Sequence, residues 1–520
     1  MKKIVFSTIA VAALLCTVSC NTDFDTDVSN IAVTSGQADF SKYVAIGNSL
    51  TSGYRDGALY IDGQTESFPS MIAQQMALAG GGVFKQPLMA DNLGGIPSVG
   101  ISNKRVLTST LGLAVASGTG TTTLANIYSS GPYNNMGVPG AKSYHLVAPG
   151  YGNPANLAVG RANPYFVRFA KNPATSSVIA DAMDQKPTFF SLWIGNNDVL
   201  SYATNGGMNS QTVGNVTTYT PAVDQTGNMD PTTYMANDIS DPTLVGGVIK
   251  SMLDGLKSVG STKGVIANIP DVTKIPYFNR VPYNTIALDA AKAQALNAGL
   301  YQPMIGALTY LGAPDRFSLV KAGNNPVIVV DNSLPNLSAQ LTAVLSASGY
   351  PAAQAAFLGK AFGQARQAKK GELILLTAST VLGLDALTGQ PATATSQFIN
   401  GASFPLADQY SLTSTEVGKI AKAVAAYNKS IQSLASAYGL AFVDANTKMG
   451  ELNATGGIQF DGVKYTSTFV TGGSFSLDGV HPTGRGYAIL ANEFIEAIND
   501  KYKSTLPLVN VNSYSGVTFP

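Results

Sequence analysis

Residues 43–50, Tyr-Val-Ala-Ile-Gly-Asn-Ser-Leu, form a short apolar run that ends at a glycine and passes into a polar turn. Such a run, bounded by turn residues, predicts a buried strand from Tyr43 to Ile46. Ser49 follows at a predicted helix start, where it would stand above the sheet edge beside free backbone N–H groups. A serine at this position can also do no more than cap the helix.

Apolar runs of strand length recur along the chain and alternate with helical patterns. This alternation predicts an α/β fold, in which a parallel sheet is connected by crossover helices. The other predicted strands are Thr188 to Ile194, Gly264 to Ile269 and Leu440 to Val443. The predicted helices run from Pro69 to Ala79, from a capping box at Thr413 to Glu416, and from Pro482 onward.

Two stretches rich in Gly, Thr, Ser and Asn, residues 117–131 and 203–230, are too long for simple connections. We predict that both are surface loops. Residues 310–410 contain their own helix-like run at 337–345 and a strand-like run at 373–376. We interpret this segment as an insertion or cap on the main sheet rather than as a second domain.

The base that a serine nucleophile needs would be His481, one of two histidines in the chain. A serine hydroxyl is a weak nucleophile until a neighbouring histidine removes its proton. Asp478 lies three residues before His481, a spacing that can place its carboxylate against Nδ1 and leave Nε2 facing Ser49. His145 has no carboxylate nearby in the sequence, and we interpret it as a structural or pocket-lining residue.

Two further motifs could stabilise the oxygen of a tetrahedral intermediate. Residues 193–198, Trp-Ile-Gly-Asn-Asn-Asp, follow a predicted strand, and an amide side chain there can donate to that oxygen. Residues 135–141, Asn-Met-Gly-Val-Pro-Gly-Ala, contain a glycine turn that lets the backbone approach a reacting carbonyl closely. Taken singly, each motif is also an ordinary turn.

Taken together, the four motifs resemble, in their order along the chain, the sequence blocks of the SGNH/GDSL hydrolase family. The resemblance implies a three-layer, flavodoxin-like α/β sandwich with the active site at the carboxyl ends of parallel strands. It also implies that Ser49 is the nucleophile, with Asp478 and His481 as its acid and base partners. The oxyanion hole would consist of the backbone N–H groups of Ser49 and Gly140 and the side chain of Asn197.

The resemblance covers the chain from about Phe40 to Asn499, with one departure. The family's usual aspartate before the serine is Asn48 here, which should preserve the turn without removing the catalytic acid. The organisation that follows is a signal peptide at 1–19, a lipidated tether at 20–39, a hydrolase domain at 40–501 that includes the 310–410 insertion, and a C-terminal tail at 502–520.

The family implies a serine ester hydrolase, an esterase or lipase, that works through an acyl-enzyme on Ser49 and needs no cofactor. Its expected partner is an ester substrate, an acyl lipid or an acylated glycan. The alternative enzyme is a carbohydrate esterase that removes acetyl groups. The alternative outside the enzymes is a surface lipoprotein that binds glycan or lipid on this scaffold without turnover.

The N-terminus predicts export. Lys2 and Lys3 precede an apolar run at 4–15, a signal-peptide layout too short to span a bilayer. Residues 17–20, Thr-Val-Ser-Cys, resemble a bacterial lipobox, which would make Cys20 the lipidated first residue of the mature protein. The alternative is an ordinary signal peptide followed by an incidental cysteine. We therefore expect a protein anchored by its N-terminal lipid in the bacterial envelope, on the periplasmic or surface side of the outer membrane.

The amino-acid composition bears on nucleic-acid binding, disulfide formation and metal binding. The chain has 32 Lys and Arg against 31 Asp and Glu, a balance that argues against a nucleic-acid partner. Its two cysteines are Cys16 and Cys20, so cleavage before Cys20 would leave no disulfide. Two histidines and one anchored thiol leave few ligands for zinc, and we expect no metal.

Overall fold

The structure is a computed structural model that describes residues 32–393 and 395–520. In chain order its strands are β1 (Tyr43–Gly47), β2 (Arg105–Leu107), β3 (Leu113–Val115), β4 (Asn135–Gly137), β5 (Phe189–Trp193), β6 (Met208–Val213), β7 (Val216–Pro221), β8 (Gly264–Ala267), β9 (Ile286–Leu288), β10 (Gly323–Asn325), β11 (Ile328–Val330), β12 (Ala365–Gln367), β13 (Leu373–Ile374), β14 (Ser411–Leu412), β15 (Ala441–Val443), β16 (Ile458–Phe460) and β17 (Val463–Tyr465).

The helices connect and flank these strands. In chain order they are α1 (Ser49–Ser52), α2 (Ile61–Thr65), α3 (Phe68–Leu78), α4 (Pro164–Val167), α5 (Val178–Asp184), α6 (Asn197–Thr204), α7 (Pro242–Ser258), α8 (Pro276–Asn279), α9 (Ala290–Leu296), α10 (Gln302–Tyr310), α11 (Ser338–Ala347), α12 (Ala352–Phe362), α13 (Ser414–Tyr438), α14 (Ala445–Asn453) and α15 (Gly484–Tyr502).

A five-stranded parallel sheet forms the centre of the fold, in the order β15-β8-β5-β1-β4. Numbered by their order along the chain, these strands run 2-1-3-4-5 from the β4 edge, which is the order of flavodoxin-like sheets. The predicted α/β class with a parallel sheet is therefore confirmed. The carboxyl ends of parallel strands share one edge, so the residues that follow β1, β4 and β5 lie near one another.

Helices cover both faces of the central sheet. Helices α3 and α15 pack together on one face, whereas α5, α7 and α13 pack on the other. Because both faces are covered, strands β1 and β5 are buried along their whole length, which explains why they are nearly continuous apolar runs, interrupted in β5 only by Ser191. The arrangement is compatible with the expected three-layer sandwich.

The predicted elements of the sheet domain have close counterparts in the structure. The four predicted strands correspond to β1, β5, β8 and β15, and the early helix to α3, with ends displaced by at most two residues. The capping box of α13 is present, since Glu416 Oε2 accepts a hydrogen bond from the Thr413 N–H at 2.7 Å. The last helix begins at Gly484, not Pro482, because the Thr483 side chain is its N-cap.

The structure differs from the loop prediction over residues 203–230. There, β6 and β7 form an antiparallel hairpin around Gly214 and Asn215. Most of its residues are exposed, so the strands carry no apolar run that would have marked them in the sequence. Backbone pairing holds the hairpin together, with side-chain hydrogen bonds between Thr212 and Thr217 and from Thr218 to the Gln211 carbonyl.

Residues 290–365 form a helical unit with a hydrophobic core of its own. The largest residues buried in that core are Tyr301, Met304, Leu308, Phe317, Ile328, Leu341, Leu345, Leu358 and Phe362. This unit begins before the predicted insertion at 310–410, since Tyr310 is the last residue of α10. The predicted boundary falls at the end of a continuous run of helical residues from Ala290 to Tyr310, which the structure extends through Gly299 and Pro303.

Both ends of the described chain pack on the sheet domain. In the predicted C-terminal tail, Leu506, Val509 and Val511 are buried in the main core. Part of the predicted 20–39 tether is also packed, because the Gln37 N–H donates to the Tyr502 carbonyl at 2.7 Å. The predicted signal peptide and Cys20 lie outside the described residues.

Within residues 32–393 and 395–520, no helix combines the length and the apolar character needed to cross a membrane.

Candidate active site

The turn after β1 presents Ser49 at the edge of the sheet. Ser49 is the first residue of α1, and the Asn48 side chain caps this helix by accepting from the Leu50 N–H at 3.1 Å. Gly47 is required at the strand end, because a Cβ there would lie 2.4 Å from the Trp193 carbonyl oxygen of β5. Asn48 thus preserves the turn, as expected from the sequence.

One imidazole joins Ser49 to Asp478. His481 Nδ1 lies 2.8 Å from Asp478 Oδ2, and His481 Nε2 lies 2.9 Å from Ser49 Oγ. An ionised carboxylate only accepts hydrogen bonds, so Nδ1 carries the proton and Nε2 is left to accept from the serine hydroxyl. The structure therefore brings together the three predicted residues in the order that the sequence spacing suggested.

The loop that carries His481 holds Asp478 in its ionised form. The backbone N–H groups of Val480 and His481 each donate to Asp478 Oδ1 at 2.8 Å. Burial raises the pKa of Asp478, but the electrostatic interaction with His481 and the hydrogen bonds from the His481 ring and from these backbone groups outweigh it and lower the pKa to about 2. Asp478 is thus a carboxylate that can orient the imidazole and stabilise its protonated form.

The turn at Asp56 and Gly57, which is not among the predicted site residues, contacts this loop from the other side. The Gly57 N–H donates to Asp478 Oδ2 at 3.0 Å. Its neighbour Asp56 accepts from the Leu477 N–H at 2.9 Å and donates its own N–H to Ser476 Oγ at 2.9 Å. The Asp-Gly pair signals a turn, but no feature of the sequence indicates that it meets a segment 421 residues later.

The predicted oxyanion donors lie after β1, β4 and β5. Asn197 is the first residue of α6, and its Nδ2 donates to the Ala141 carbonyl at 2.9 Å, so a second N–H remains for a ligand. Gly140 has a φ of 79°, a conformation that favours glycine. Across the described residues, the backbone N–H groups of Ser49 and Gly140 donate to no protein acceptor.

Asp198 ties the Asn197 segment to the chain beyond Gly140. Its carboxylate is fully buried and accepts from both the N–H and the Oγ of Ser143 at 2.8 Å. Burial raises the pKa of Asp198, and the nearby Lys142 ammonium opposes that shift. These contacts fix the two segments that carry Gly140 and Asn197 against each other.

The second histidine belongs to a different environment. His145 Nδ1 accepts from the Lys142 N–H at 3.1 Å, and its ring stacks on Tyr151 with the centroids 4.8 Å apart. Burial, together with the charge of Lys142, lowers the pKa of His145 to about 4. No carboxylate side chain in the described structure bonds to it, which agrees with its interpretation as a structural residue.

A pocket opens beside Ser49, Asn197 and His481. Its volume is about 830 Å³, counting the space open to solvent. Away from the reacting groups the wall is mostly apolar and is formed mainly by the β8–α8 connection, α14 and α15, with contributions from α6, β16 and the loop before α15. The apolar side chains in this wall are Leu200, Val272, Ile275, Met449, Leu452, Ile458, Phe475, Val480, Ile489 and Leu490.

The site contains a serine hydroxyl hydrogen-bonded to an imidazole, which is in turn hydrogen-bonded to a buried carboxylate. Free N–H groups lie on the segments next to the hydroxyl. Comparison of the chain with protein-family models, with curated proteins and with solved structures found no match. Within the described residues, no cluster of three or more His, Cys, Asp or Glu side chains could hold a metal ion.

Proposed function

We propose that this chain is a serine ester hydrolase of the SGNH/GDSL type, which acts through an acyl-enzyme on Ser49. The proposal rests on one observation, the two hydrogen bonds through His481, at 2.9 Å to Ser49 and at 2.8 Å to Asp478. An isolated surface histidine beside a turn aspartate would have no reason to meet a buried serine 432 residues earlier in the chain.

The fold supports this proposal. Ser49 follows β1 and Asn197 follows β5, and these adjacent strands flank the point where the strand order reverses. In open α/β sheets, ligands bind in the crevice at this point, outside the carboxyl ends of the strands. A flavodoxin-like SGNH sandwich would have its nucleophile and an amide donor in the same places.

In the proposed acylation step, Ser49 Oγ attacks the ester carbonyl carbon while its proton moves to His481 Nε2. The carbonyl oxygen becomes an oxyanion, which would accept from the N–H groups of Ser49 and Gly140 and from Asn197 Nδ2. Collapse of this intermediate breaks the ester bond, and the departing alcohol takes the proton from His481. Water then attacks the acyl-enzyme by the same route and releases the acid.

The experiment is hydrolysis of short-chain nitrophenyl esters by the folded protein, beside acetylated sugars. We expect turnover of the nitrophenyl esters by the wild type and essentially none by Ser49→Ala, because the nucleophile is absent. A wild-type rate no higher than that of Ser49→Ala on every ester would favour a lipoprotein that binds without turnover. Deacetylation of sugars alone would favour the carbohydrate esterase.

We further propose that the protein is exported and anchored by lipid on Cys20, a residue outside the described structure. The support is the short apolar leader that ends in Ser19-Cys20. Wild-type protein made in a bacterial host with lipoprotein processing should partition into detergent, whereas Cys20→Ala should stay in the aqueous phase. Intact mass showing an unmodified N-terminus upstream of Cys20 in wild-type protein from the native host would contradict the anchor.

A further inference from the structure

The pocket beside Ser49 extends away from the oxyanion side of the site. The proposed donors follow β1, β4 and β5, whereas the far wall of the pocket follows β8 and β15. The sheet order places β8 and β15 on the opposite side of β5 from β4. A substituent on the ester carbonyl carbon can therefore enter the pocket while the oxyanion remains on its donors.

The wall offers few hydrogen bonds to a polar ligand. Beyond the groups next to the reaction, its polar side chains are Ser474 and Lys448. The Lys448 ammonium lies 2.8 Å from Glu451 and 3.0 Å from Glu493 of α15, so mainly its methylene stem is available to the pocket. A sugar inside this wall would leave most of its hydroxyl groups without partners, which is costly.

We propose that this pocket binds the aliphatic acyl chain of the ester, which deepens the proposed function and rests on it. An acetyl group would leave the apolar wall between α14 and α15 unfilled, whereas each methylene of a longer chain removes apolar surface from water. The pocket thus favours esters of aliphatic acids over acetylated carbohydrates.

The acyl group, not the alcohol, is the part of the ester that suits an enclosed site. The alcohol must leave after the first step, whereas the acyl group stays attached to Ser49 until water releases it. Contacts with the chain can therefore stabilise the transition states of both steps, and a buried chain holds the acyl carbonyl near Asn197 throughout.

Met449 is the residue at which we propose that chain length is set. It is buried on α14, lines the pocket and has an unbranched side chain that can be shortened or replaced by a bulkier one. Substitutions of opposite size at this position should move the preferred chain length in opposite directions. Met449→Ala should extend the range of acyl chains accepted, and Met449→Phe should shorten it.

The test is kcat/KM for nitrophenyl esters from acetate to decanoate, measured for the wild type and both Met449 variants. For the wild type we expect a rise of about fourfold for each methylene until the pocket is full. The matched control is Met252→Ala, which removes a buried methionine on α7 outside the pocket. Its chain-length profile should match the wild type, and thermal unfolding confirms that each variant is folded.

Two further measurements distinguish an error in the acyl-pocket proposal from an error in the proposed hydrolase function. Acetate esters of alcohols of rising length test the opposite orientation, and a Met449 effect confined to this series would overturn the acyl assignment. Decanoic acid should bind to Ser49→Ala and bind several-fold more weakly to Ser49→Ala with Met449→Phe. Binding that Met449→Phe weakens, without ester turnover by the wild type, would leave the pocket standing and refute the hydrolase.

If instead esters are hydrolysed through Ser49 but acetate is the best substrate, and neither Met449 variant alters the profile, the acyl pocket is wrong and the hydrolase stands. Failure of decanoic acid to bind to folded Ser49→Ala would also count against the pocket. If Met449→Phe does not fold, Met449→Ala alone decides, since it must widen the range of accepted chains.

Discussion

Replacing Asn197 by alanine should lower kcat by a factor on the order of 10² to 10³ and leave KM nearly unchanged. The proposed role of this side chain is to donate to an oxygen whose negative charge develops only in the transition state. Its Nδ2 already donates one hydrogen bond, to the Ala141 carbonyl at 2.9 Å, and this bond orients the amide before substrate arrives. An oriented donor in a partly buried site costs no reorganisation during the reaction.

Two variants make this prediction specific. Asn197→Asp keeps the size of the side chain but removes the donor and adds a negative charge, so it should lose at least as much activity as Asn197→Ala. Asn205→Ala, at the other end of α6, removes an amide that bonds only to Ser201 and Thr204 of its own helix, and it should be near wild type. If folded Asn197→Ala keeps near-normal kcat and loses only apparent affinity, Asn197 is not an oxyanion donor.

The elements of the fold that could be predicted from sequence are those whose burial produces a recognisable apolar pattern in their own residues. Strands β1 and β5 are buried on both faces, so they are nearly continuous apolar runs. Strand β4 could not be found in this way. It is three residues long, Asn-Met-Gly, and forms only because Ala45 and Gly47 of β1 offer it a partner.

The β6–β7 hairpin was missed for a different reason. Its residues are mostly Thr, Ser, Asn and Gln and are exposed. A criterion based on apolar content therefore predicts a loop for this segment. A local signal was present, because Gly214 and Asn215 form a two-residue turn of hairpin type between Thr-rich segments. Turn chemistry rather than hydrophobicity would have identified this element.

The candidate site likewise contains some contacts that could be predicted from the sequence and others that could not. Asp478 and His481 are three residues apart, so their contact could be predicted from local geometry. The contacts from the other side of this loop could not be predicted, because Gly57 reaches Asp478, and Asp56 reaches Ser476 and Leu477, only through tertiary packing. The pocket wall is likewise assembled from segments between Leu200 and Leu490, and no single stretch of sequence contains it.

Removing the nucleophile or its base should have the largest effect of any change in the chain. In the proposed mechanism Ser49 and His481 act on the same proton, so losing either one removes the step that both perform. Ser49→Ala, His481→Ala and the double variant should therefore have similar residual rates, each lower than the wild type by a factor on the order of 10⁶. Additive losses would mean that the two residues work independently.

Substitutions of Asp478 and His145 should lower ester turnover less than substitutions of Ser49 and His481. In the proposed mechanism Asp478 orients and stabilises the imidazole without attacking, so Asp478→Asn should lower the rate less, by a factor on the order of 10⁴. His145 donates no proton to Ser49 in this structure and contacts Lys142, Tyr144 and Tyr151 instead. His145→Ala should keep most of the wild-type activity if the variant is folded.

The measurement that tests the catalytic assignment most directly is ester turnover at one pH by Ser49→Ala, His481→Ala, their double variant and His145→Ala, each shown to be folded by thermal unfolding. Our account predicts that the first three share one residual rate and that His145→Ala remains close to the wild type. An active His481→Ala beside an inactive His145→Ala would contradict it.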